Sequence, residues 1–545
     1  MKKIILSLLA LATVSAYAQF GGRGQGNPTV PSVTENVTED FKPASNNQAN
    51  HQYPMVNSQR MVRAQISAPN ATSVGLDIDG KIYSMSKNEN GVWTGTSAPQ
   101  DPGFHYYQLN IDGASVPDPG SLYYYGASRW GSGIEVPSDD QDIWEVKNVP
   151  QGSMNEVFYW SSVTENVTED FKPALNNQAN HQYPMVNSQR MVRAQISAPN
   201  ATSVGLDIDG KIYSMTKNEN GVWTGTSAPQ DPGFHYYQLN IDGASVPDPG
   251  SLYYYGASRW GSGIEVPSDD QDFWQVKNVP QGSMNEVYYY SSVTEKMRHC
   301  YIYFPNEYYT NPTKKFPVLY LMHGMGENEH GWAEQGHTAQ IMDNLIAEKK
   351  AVPFIIVIDC LDAQAAGQQG GMGGFGGQRP GGPSADAQAP QGQRPQGQGG
   401  QRRMGGGFMM GGAFQDVLIK DIIPMVEKNY RVIADTEHRA MAGLSMGGMT
   451  THSVTLANPT TFSYVGMFSG GTFSVSELEN NDDFKKTNKA LFMSCGGKEN
   501  MGVMEAAENL KKIGINATGY ISEGTAHEWH TWRRSLYQFL QLCFK

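Results

Sequence analysis

The 545-residue chain contains only four cysteines, and their spacing is not that of a metal site. Cys300, Cys360, Cys495 and Cys543 all lie in the second half, either as buried thiols or as one or two disulfides. Charged residues are also few, at 17%, and their formal sum is −13. This acidic balance argues against nucleic acid or an anionic membrane surface as a partner.

The start of the chain lacks an apolar run long enough for a permanent membrane anchor. The apolar stretch 4–14 is too short to span a bilayer. It follows Lys2 and Lys3 and precedes the small residues that end at Ala18, which is the order of a secretory signal peptide. We therefore expect cleavage after Ala18, a periplasmic or secreted protein, and a leader or linker over 19–59.

A long internal repeat organises the first half of the chain. Residues 33–161 recur as 163–291, which indicates a recent duplication and not a solenoid. The differing pairs are Ser45/Leu175, Ser86/Thr216, Ile143/Phe273, Glu145/Gln275, Phe158/Tyr288 and Trp160/Tyr290. Short alternating runs separated by Pro, Asn and Gly turns are typical of a small antiparallel β-sandwich. We predict two Ig-like β-sandwich modules, over 60–161 and 162–284, with Trp93 and Trp223 in their cores.

The two copies continue differently. After the second copy, MNEVYYYSSVTEKMRHCYIYFP predicts two strands joined by a polar turn, a hairpin that leads into the next domain. The first copy lacks the second of these strands. We therefore expect 154–161 to be a linker or to dock irregularly, without a regular hairpin to the residues that follow.

From 285 to 545 the pattern changes to strands alternating with helices, which indicates an α/β domain. FPVLYLMHG and AVPFIIVIDC are nearly continuous apolar strands, as in a parallel sheet covered on both faces. Residues 363–413 interrupt the pattern and are dominated by Gly, Gln, Pro and Met. Such a segment buries too little apolar surface to offset its ordering entropy, so we predict a disordered surface loop.

The sequence GLSMG at 443–447 lies between a predicted strand and a predicted helix. In that setting G-x-S-x-G forms a tight turn that presents the serine at the top of the sheet, and Ser445 is the predicted nucleophile. The alternative is a plain Gly-rich turn. Because HGMG at 323–326 follows an earlier strand, we predict that Met325 and Met446 supply the backbone N–H groups of an oxyanion hole.

A serine hydrolase of this kind also needs an acid and a histidine, which follow the serine in that order. The loop after the last predicted strand offers two histidines; we favour His527 as the base and interpret His530 as a solvated or packing side chain. Among the carboxylates between Ser445 and His527, only Glu499 sits just past a strand's carboxyl end with a helix and a strand still to follow. The alternative for Glu499 is an exposed loop charge.

These motifs resemble carbohydrate esterase family 1, which includes feruloyl and acetyl xylan esterases. The resemblance rests on HGMG, FQDVLIKDIIP, GLSMGG and HEWHTWR. The repeats resemble family 48 carbohydrate-binding modules through GVWTGT, the aromatic strand and VPDP, although two such modules are a departure. The resemblance implies an α/β-hydrolase fold and removal of feruloyl or acetyl groups from plant cell-wall polysaccharide such as arabinoxylan, without cofactor or metal. It also places the family's usual aspartate at Asn500, an alternative partner for the histidine.

Aromatic residues are the candidates for substrate contacts. A feruloyl slot needs aromatic walls, for which Trp332 and Trp529 are the candidates. The side chains predicted to stack on sugar are Tyr124, Trp130, Tyr254 and Trp260. Alternatively these four pack against a neighbouring domain, which for the second copy is the mouth of the α/β domain. A rival function is a glycan-binding protein whose α/β domain is inactive.

Overall fold

The computed structural model describes residues 27–126, 129–138, 153–156, 170–366 and 412–545. They form two β-modules followed by a C-terminal α/β region. The predicted signal peptide and most of the predicted insertion lie outside the described residues. Within these ranges no helix combines the length and the apolar character needed to cross a membrane.

The first module is a sandwich of two sheets around one apolar core. Its strands are β1 (Thr29–Pro31), β2 (Lys42–Pro43), β3 (Met55–Val56), β4 (Met61–Ser67), β5 (Val74–Ile78), β6 (Lys81–Ser84), β7 (Ser86–Lys87), β8 (Val92–Pro99), β9 (Gly103–Ile111), β10 (Ala114–Val116), β11 (Tyr123–Gly126) and β12 (Arg129–Val136). One sheet has the order β1-β6-β5-β9-β12-β11 with β10 beside β9, and the other has the order β2-β3-β4-β8-β7. Because β1 to β3 already belong to these sheets, the expected module boundary at residue 60 is wrong.

The second module repeats this architecture from Lys172 onward. Its strands are β14 (Lys172–Pro173), β15 (Met185–Val186), β16 (Met191–Ser197), β17 (Val204–Ile208), β18 (Lys211–Ser214), β19 (Thr216–Lys217), β20 (Val222–Pro229), β21 (Gly233–Ile241), β22 (Ala244–Val246), β23 (Tyr253–Gly256) and β24 (Arg259–Val266). Trp93 and Trp223 are buried, and each indole N–H donates to a backbone carbonyl, of Ala68 and Ala198 respectively, at 2.9 Å. The prediction that both belong to the cores is confirmed.

The two modules pack against each other with pseudo-twofold symmetry. The backbone N–H of Trp260 donates to Oε1 of Gln48 at 2.9 Å, and the equivalent N–H of Trp130 donates to Oε1 of Gln178 at 3.0 Å. The rings of the equivalent residues Tyr123 and Tyr253 meet at 4.5 Å between centroids. Each contact of one copy therefore recurs as the equivalent contact of the other copy, as in the self-complementary interface of a twofold dimer.

The C-terminal region is built on a single mixed sheet. Its strands are β13 (Ser153–Glu156), β25 (Ser283–Ser291), β26 (Lys296–Phe304), β27 (Val318–Met322), β28 (Ile355–Asp359), β29 (Arg439–Leu444), β30 (Tyr464–Phe468), β31 (Ala490–Gly496) and β32 (Ala517–Ser522). They lie in the order β13-β25-β26-β28-β27-β29-β30-β31-β32, antiparallel up to β28 and parallel from there on. The hairpin of β25 and β26 is followed by β28 and β27 in inverted order. This strand order is typical of an α/β-hydrolase fold.

Helices cover both faces of this sheet. They are α1 (Asn306–Thr310), α2 (His330–Ala333), α3 (Thr338–Ala347), α4 (Gly412–Val417), α5 (Ile423–Asn429), α6 (Met446–Ala457), α7 (Val475–Leu478), α8 (Asp482–Thr487), α9 (Val503–Lys511) and α10 (Trp529–Leu540), with a π-helical segment over Leu418–Ile422 joining α4 to α5. One apolar core lies under α3 and α10, and another lies under α4 and α5. All four cysteines are free thiols.

Strand β13, from the end of the first module, extends the C-terminal sheet at its edge. It pairs antiparallel with β25 in a regular register centred on the equivalent residues Asn155 and Asn285. The expectation of a linker or irregular docking is therefore wrong for 154–156, because the unpaired edge of β25 offers hydrogen-bonding groups to a matching strand. Residues 157–161 of that expectation lie outside the described residues.

Candidate active site

The candidate nucleophile stands at a strained turn between β29 and α6. Ser445 has φ 49° and ψ −116°, a conformation that a non-glycine residue adopts only where its surroundings enforce it. A Cβ on Gly443 would lie 2.4 Å from the backbone of Gly447, and one on Gly447 would lie 2.4 Å from the carbonyl oxygen of His323. The two glycines therefore allow the close approach that presents Ser445 at the top of the sheet.

A hydrogen-bonded relay joins the three residues predicted as catalytic. Oγ of Ser445 lies 2.9 Å from Nε2 of His527, and Nδ1 of that imidazole lies 2.7 Å from Oε1 of Glu499. A carboxylate only accepts hydrogen bonds, so Nδ1 carries the imidazole proton and Nε2 accepts the hydroxyl proton of Ser445. The relay has the polarity required for a serine nucleophile with a histidine base.

Glu499 is held as a carboxylate. Burial alone would raise its pKa, but hydrogen bonds from His527, from the Gly496 N–H and from the Ser469 hydroxyl outweigh burial and lower the pKa below its ordinary value. Asn500, in contrast, is exposed. The geometry thus places Glu499, and not Asn500, beside the histidine.

Two residues that the sequence patterns did not indicate support this carboxylate. Ser469 directly follows β30 and donates to Oε2 of Glu499 at 2.7 Å. The indole N–H of Trp532 points to the Ser469 hydroxyl at 3.2 Å, and the same ring meets the imidazole of His527 edge-on at 5.1 Å. The available signal for Ser469 was its place at the carboxyl end of a strand next to the one that carries Glu499.

The loop after β27 lies against Ser445. A Cβ built on Gly324 would be 3.5 Å from Cβ of Ser445. His323 is buried; its Nε2 accepts from the Leu361 N–H at 2.8 Å, so Nδ1 carries the proton and donates to the Gly324 carbonyl at 2.7 Å. Met325 lies in this loop, and Met446 begins α6, where first-turn N–H groups have no intrahelical acceptor.

Glu327 holds the same loop from inside. Its Oε2 accepts from the Gly324 N–H at 3.1 Å. Burial raises the pKa of this carboxyl to about 8, and the hydrogen bond offsets only part of that effect. At neutral pH Glu327 is therefore mainly protonated. It supports the loop as an uncharged side chain, directly after Gly326.

The second module closes one side of the site. The Ser258 N–H donates to the Gly326 carbonyl at 2.7 Å, and the Trp260 ring meets His330 edge-on at 5.1 Å. Tyr254 packs against the C-terminal core, and its hydroxyl accepts from Asn176 at 2.8 Å. For Tyr254 and Trp260 the prediction of sugar stacking is therefore wrong, because docking on the α/β region uses these rings.

The first-module equivalents have a different environment. The Tyr124 hydroxyl accepts from Asn46 at 2.7 Å, as its counterpart does, but the neighbouring face is open: Phe104 is 39% exposed, whereas its equivalent Phe234 is 4% exposed. The Trp130 ring is half-buried and lies 5.9 Å from Tyr125. This aromatic face is accessible.

Trp332 and Trp529 do not line a slot. Both side chains are buried in the core, and their rings meet edge-on at 5.3 Å. The prediction that they contact substrate is wrong, because α2 and α10 turn these positions inward. His530 is buried as well, with Nε2 3.1 Å from Asp270 of the linker after the second module, so it is a packing histidine and not a solvated one.

The region that contains this site matches the model of a known family. Residues 291–374 and 381–541 match the model of the family described as "Putative esterase". The C-terminal region is esterase-like. A curated relative from Xylanibacter ruminicola, named "Endo-1,4-beta-xylanase/feruloyl esterase", is 41% identical over 386 residues, which cover 69% of this chain and 48% of the relative. This chain therefore spans about half the length of that relative.

Solved structures similar to the chain are also esterases by name. A ferulic acid esterase of Anaeromyces mucronatus in complex with ferulic acid is 23% identical, covers 51% of this chain and 96% of its own, and has a TM-score of 0.38. The enterobactin esterase of Shigella flexneri is 15% identical, covers 74% of this chain and 98% of its own, and has a TM-score of 0.42.

Proposed function

We propose that this protein is a serine carboxylic ester hydrolase that acts on plant cell-wall esters. The observation that carries the proposal is the relay from Ser445 through His527 to Glu499. The Ser445 oxygen attacks the ester carbonyl while Nε2 of His527 takes its proton, and that proton then goes to the departing alcohol. Water hydrolyses the acyl-serine by the same steps in reverse, with His527 again as base.

The negative charge on the carbonyl oxygen needs donors placed before reaction begins. The N–H groups of Met325 and Met446 are proposed for this role. Met446 follows Ser445 at the start of α6, and Met325 follows Gly324, whose Cβ position lies 3.5 Å from Cβ of Ser445. Glu499 keeps the imidazole in the tautomer that accepts the serine proton and stabilises the imidazolium. These steps use side chains and backbone groups of the chain itself.

The substrate class is supported by the name of the Xylanibacter ruminicola relative, and feruloyl groups are favoured slightly over acetyl groups. With Trp332 and Trp529 buried, we propose that exposed methionines supply the apolar surface for the acyl group: Met325 in the loop and Met449 one turn after Ser445 on α6. We further propose a secreted or periplasmic enzyme whose first module binds the polysaccharide through Tyr124 and Trp130.

The decisive experiment compares wild type with Ser445→Ala on p-nitrophenyl acetate and methyl ferulate. Ser453→Ala, on the exposed face of the same helix, is the matched control and should retain full activity. Turnover by wild type and Ser453→Ala but not by Ser445→Ala is expected. No turnover by wild type would instead support a glycan-binding protein with an inactive esterase-like domain. Activity retained in Ser445→Ala would overturn Ser445 as the nucleophile.

A single competition experiment tests whether the enzyme prefers feruloyl or acetyl groups. Ferulate and acetate released from the same arabinoxylan are measured in one reaction. We expect ferulate release to lead, and acetate release larger by orders of magnitude would assign the enzyme to acetyl groups.

A further inference from the structure

The hairpin of the second module that reaches the site has an unusual turn. Strands β23 and β24 are joined by Ala257 and Ser258, with Gly256 paired to Arg259. Both turn residues have positive φ, 51° and 63°. Two-residue turns of this kind favour Asn-Gly, because other side chains are strained in left-handed backbone. Neighbouring contacts must therefore hold this turn in place.

The tip of the turn contacts the loop proposed to carry an oxyanion donor. The Ser258 N–H donates to the Gly326 carbonyl at 2.7 Å, and Gly326 itself has φ +74°. A Cβ on Gly326 would lie 3.2 Å from both N and Oγ of Ser258, so the two backbones approach closely. Glu327 holds the loop from the inside at Gly324. The loop is thus fixed from two sides, one of them belonging to another module.

The first module holds this hairpin in turn. Oε1 of Gln48 accepts from the Trp260 N–H at 2.9 Å, two residues beyond the tip of the turn. The other end of the amide is fixed in its own module, since Nε2 donates to the Ser121 carbonyl at 3.0 Å. Gln48 is buried, so this contact is not shared with solvent.

The pseudo-twofold symmetry supplies an internal comparison. Gln178 makes the same contact in reverse, accepting from the Trp130 N–H at 3.0 Å and donating to the Ser251 carbonyl at 2.9 Å. The hairpin that Gln178 holds lies on the open side of the first module, where Tyr125 is 52% exposed. The two glutamines are therefore equivalent in chemistry and differ in what their hairpins touch.

We infer that the β23–β24 hairpin is a positioning element for the oxyanion loop, and that the first module supports it through Gln48. This inference rests on the proposed function, because it assigns a role to the loop that carries Met325. The first module thereby affects turnover of small esters that it does not bind.

The test compares Gln48→Ala with Gln178→Ala in the full-length chain, using p-nitrophenyl acetate. Each variant removes one inter-module hydrogen bond of the same kind, so the loss of thermal stability should be similar. We expect Gln48→Ala to lower kcat about three- to tenfold with KM little changed, since loosening an oxyanion loop costs less than losing a donor outright. Gln178→Ala should match wild type, although it alters the module that docks on the esterase region.

Two further measurements complete the test. Trp260→Ala removes the ring that meets His330 and should lower kcat more than Gln48→Ala does. Hydrogen exchange of the 323–330 segment, which needs no turnover, should accelerate in Gln48→Ala and not in Gln178→Ala. Equal kcat and equal exchange in the two glutamine variants would overturn the inference. Failure of the proposed function is distinguishable, because it shows as activity that is absent in wild type or retained in Ser445→Ala.

Discussion

Arg533 on α10 and Glu265 on β24 form a bidentate ion pair that is buried between the C-terminal α/β region and the second module. The two nitrogen–oxygen distances are 2.7 and 2.9 Å, and the side chains are 0% and 2% exposed. Nε of Arg533 also donates to the Gln335 carbonyl at 2.6 Å, and the guanidinium lies over the Trp274 ring. The interface therefore resembles the inside of one domain, and the second module is fixed to the C-terminal α/β region.

Removing this carboxylate should destabilise the whole chain. Glu265→Ala leaves a buried guanidinium without its charge partner, and we expect a loss of about 3–5 kcal/mol in the free energy of unfolding. The equivalent Glu135→Ala, in the first module, is the control and should cost less than about 1 kcal/mol. Denaturant unfolding measures both, and equal losses would show that the buried pair contributes nothing beyond a general effect on each module.

The acid of the relay is tested by a pair of adjacent substitutions. Glu499→Gln should lower kcat by about two to four orders of magnitude while the fold stays intact, because the imidazole loses its orienting charge. Asn500→Ala should cost far less, since Asn500 is exposed beside the site. Steady-state kinetics with p-nitrophenyl acetate and a circular dichroism spectrum decide this, and a larger loss at Asn500 would move the acid there.

The buried carboxyl of Glu327 should make stability depend on pH. An unfolded glutamate loses its proton near about pH 4.3, whereas folded Glu327 has a pKa raised to about 8. Between those values the folded state binds more protons, so the contribution of Glu327 to stability falls as pH rises and is constant above about pH 8.

Glu327→Gln removes this contribution and keeps an acceptor for the Gly324 N–H. We expect the free energy of unfolding of the variant to fall less between about pH 4.5 and 8 than that of wild type. The exposed Glu505→Gln on α9 is the control. Parallel pH curves for wild type and Glu327→Gln, measured by denaturant unfolding, would contradict the raised pKa.

The strained turn offers a stabilising change. Replacing Ala257 by Asn and Ser258 by Gly matches the residues that left-handed turn positions favour, and should raise the free energy of unfolding by about 1 kcal/mol. Ala257→Val should act in the opposite direction, since a β-branched side chain tolerates positive φ poorly. A fall in stability for the Asn-Gly variant would mean that the side chains at 257 and 258 make contacts that outweigh the strain.

Local patterns in the sequence were sufficient for much of the fold and for the relay. The G-x-S-x-G turn and the strands around it are short-range features, and the repeat is visible when the sequence is compared with itself. The chain order of acid and histidine follows from the sheet. Ser445, His527 and Glu499 lie together, because each follows the carboxyl end of a strand in one parallel part of the sheet.

Burial of aromatic side chains required the tertiary structure. Trp332 and Trp529 were placed at the site from residue type alone, yet both rings point into the core. Ser469 was overlooked because its contact with Glu499 depends on the pairing of β30 with β31, which the sequence of either strand alone does not give. Neither outcome is encoded in the residues next to these positions.

The two modules show directly that local sequence does not determine which side chains are buried. Phe104 and Phe234 have the same neighbours in sequence, so local propensity and pattern predict one strand and one orientation for both, and both strands form. Their environments nevertheless differ, with Phe234 buried against the esterase core and Phe104 on an open face. Sequence determined the strand, because backbone preference is local. Only the tertiary structure decided which copy docks, because burial depends on partners such as Arg533 that lie far along the chain.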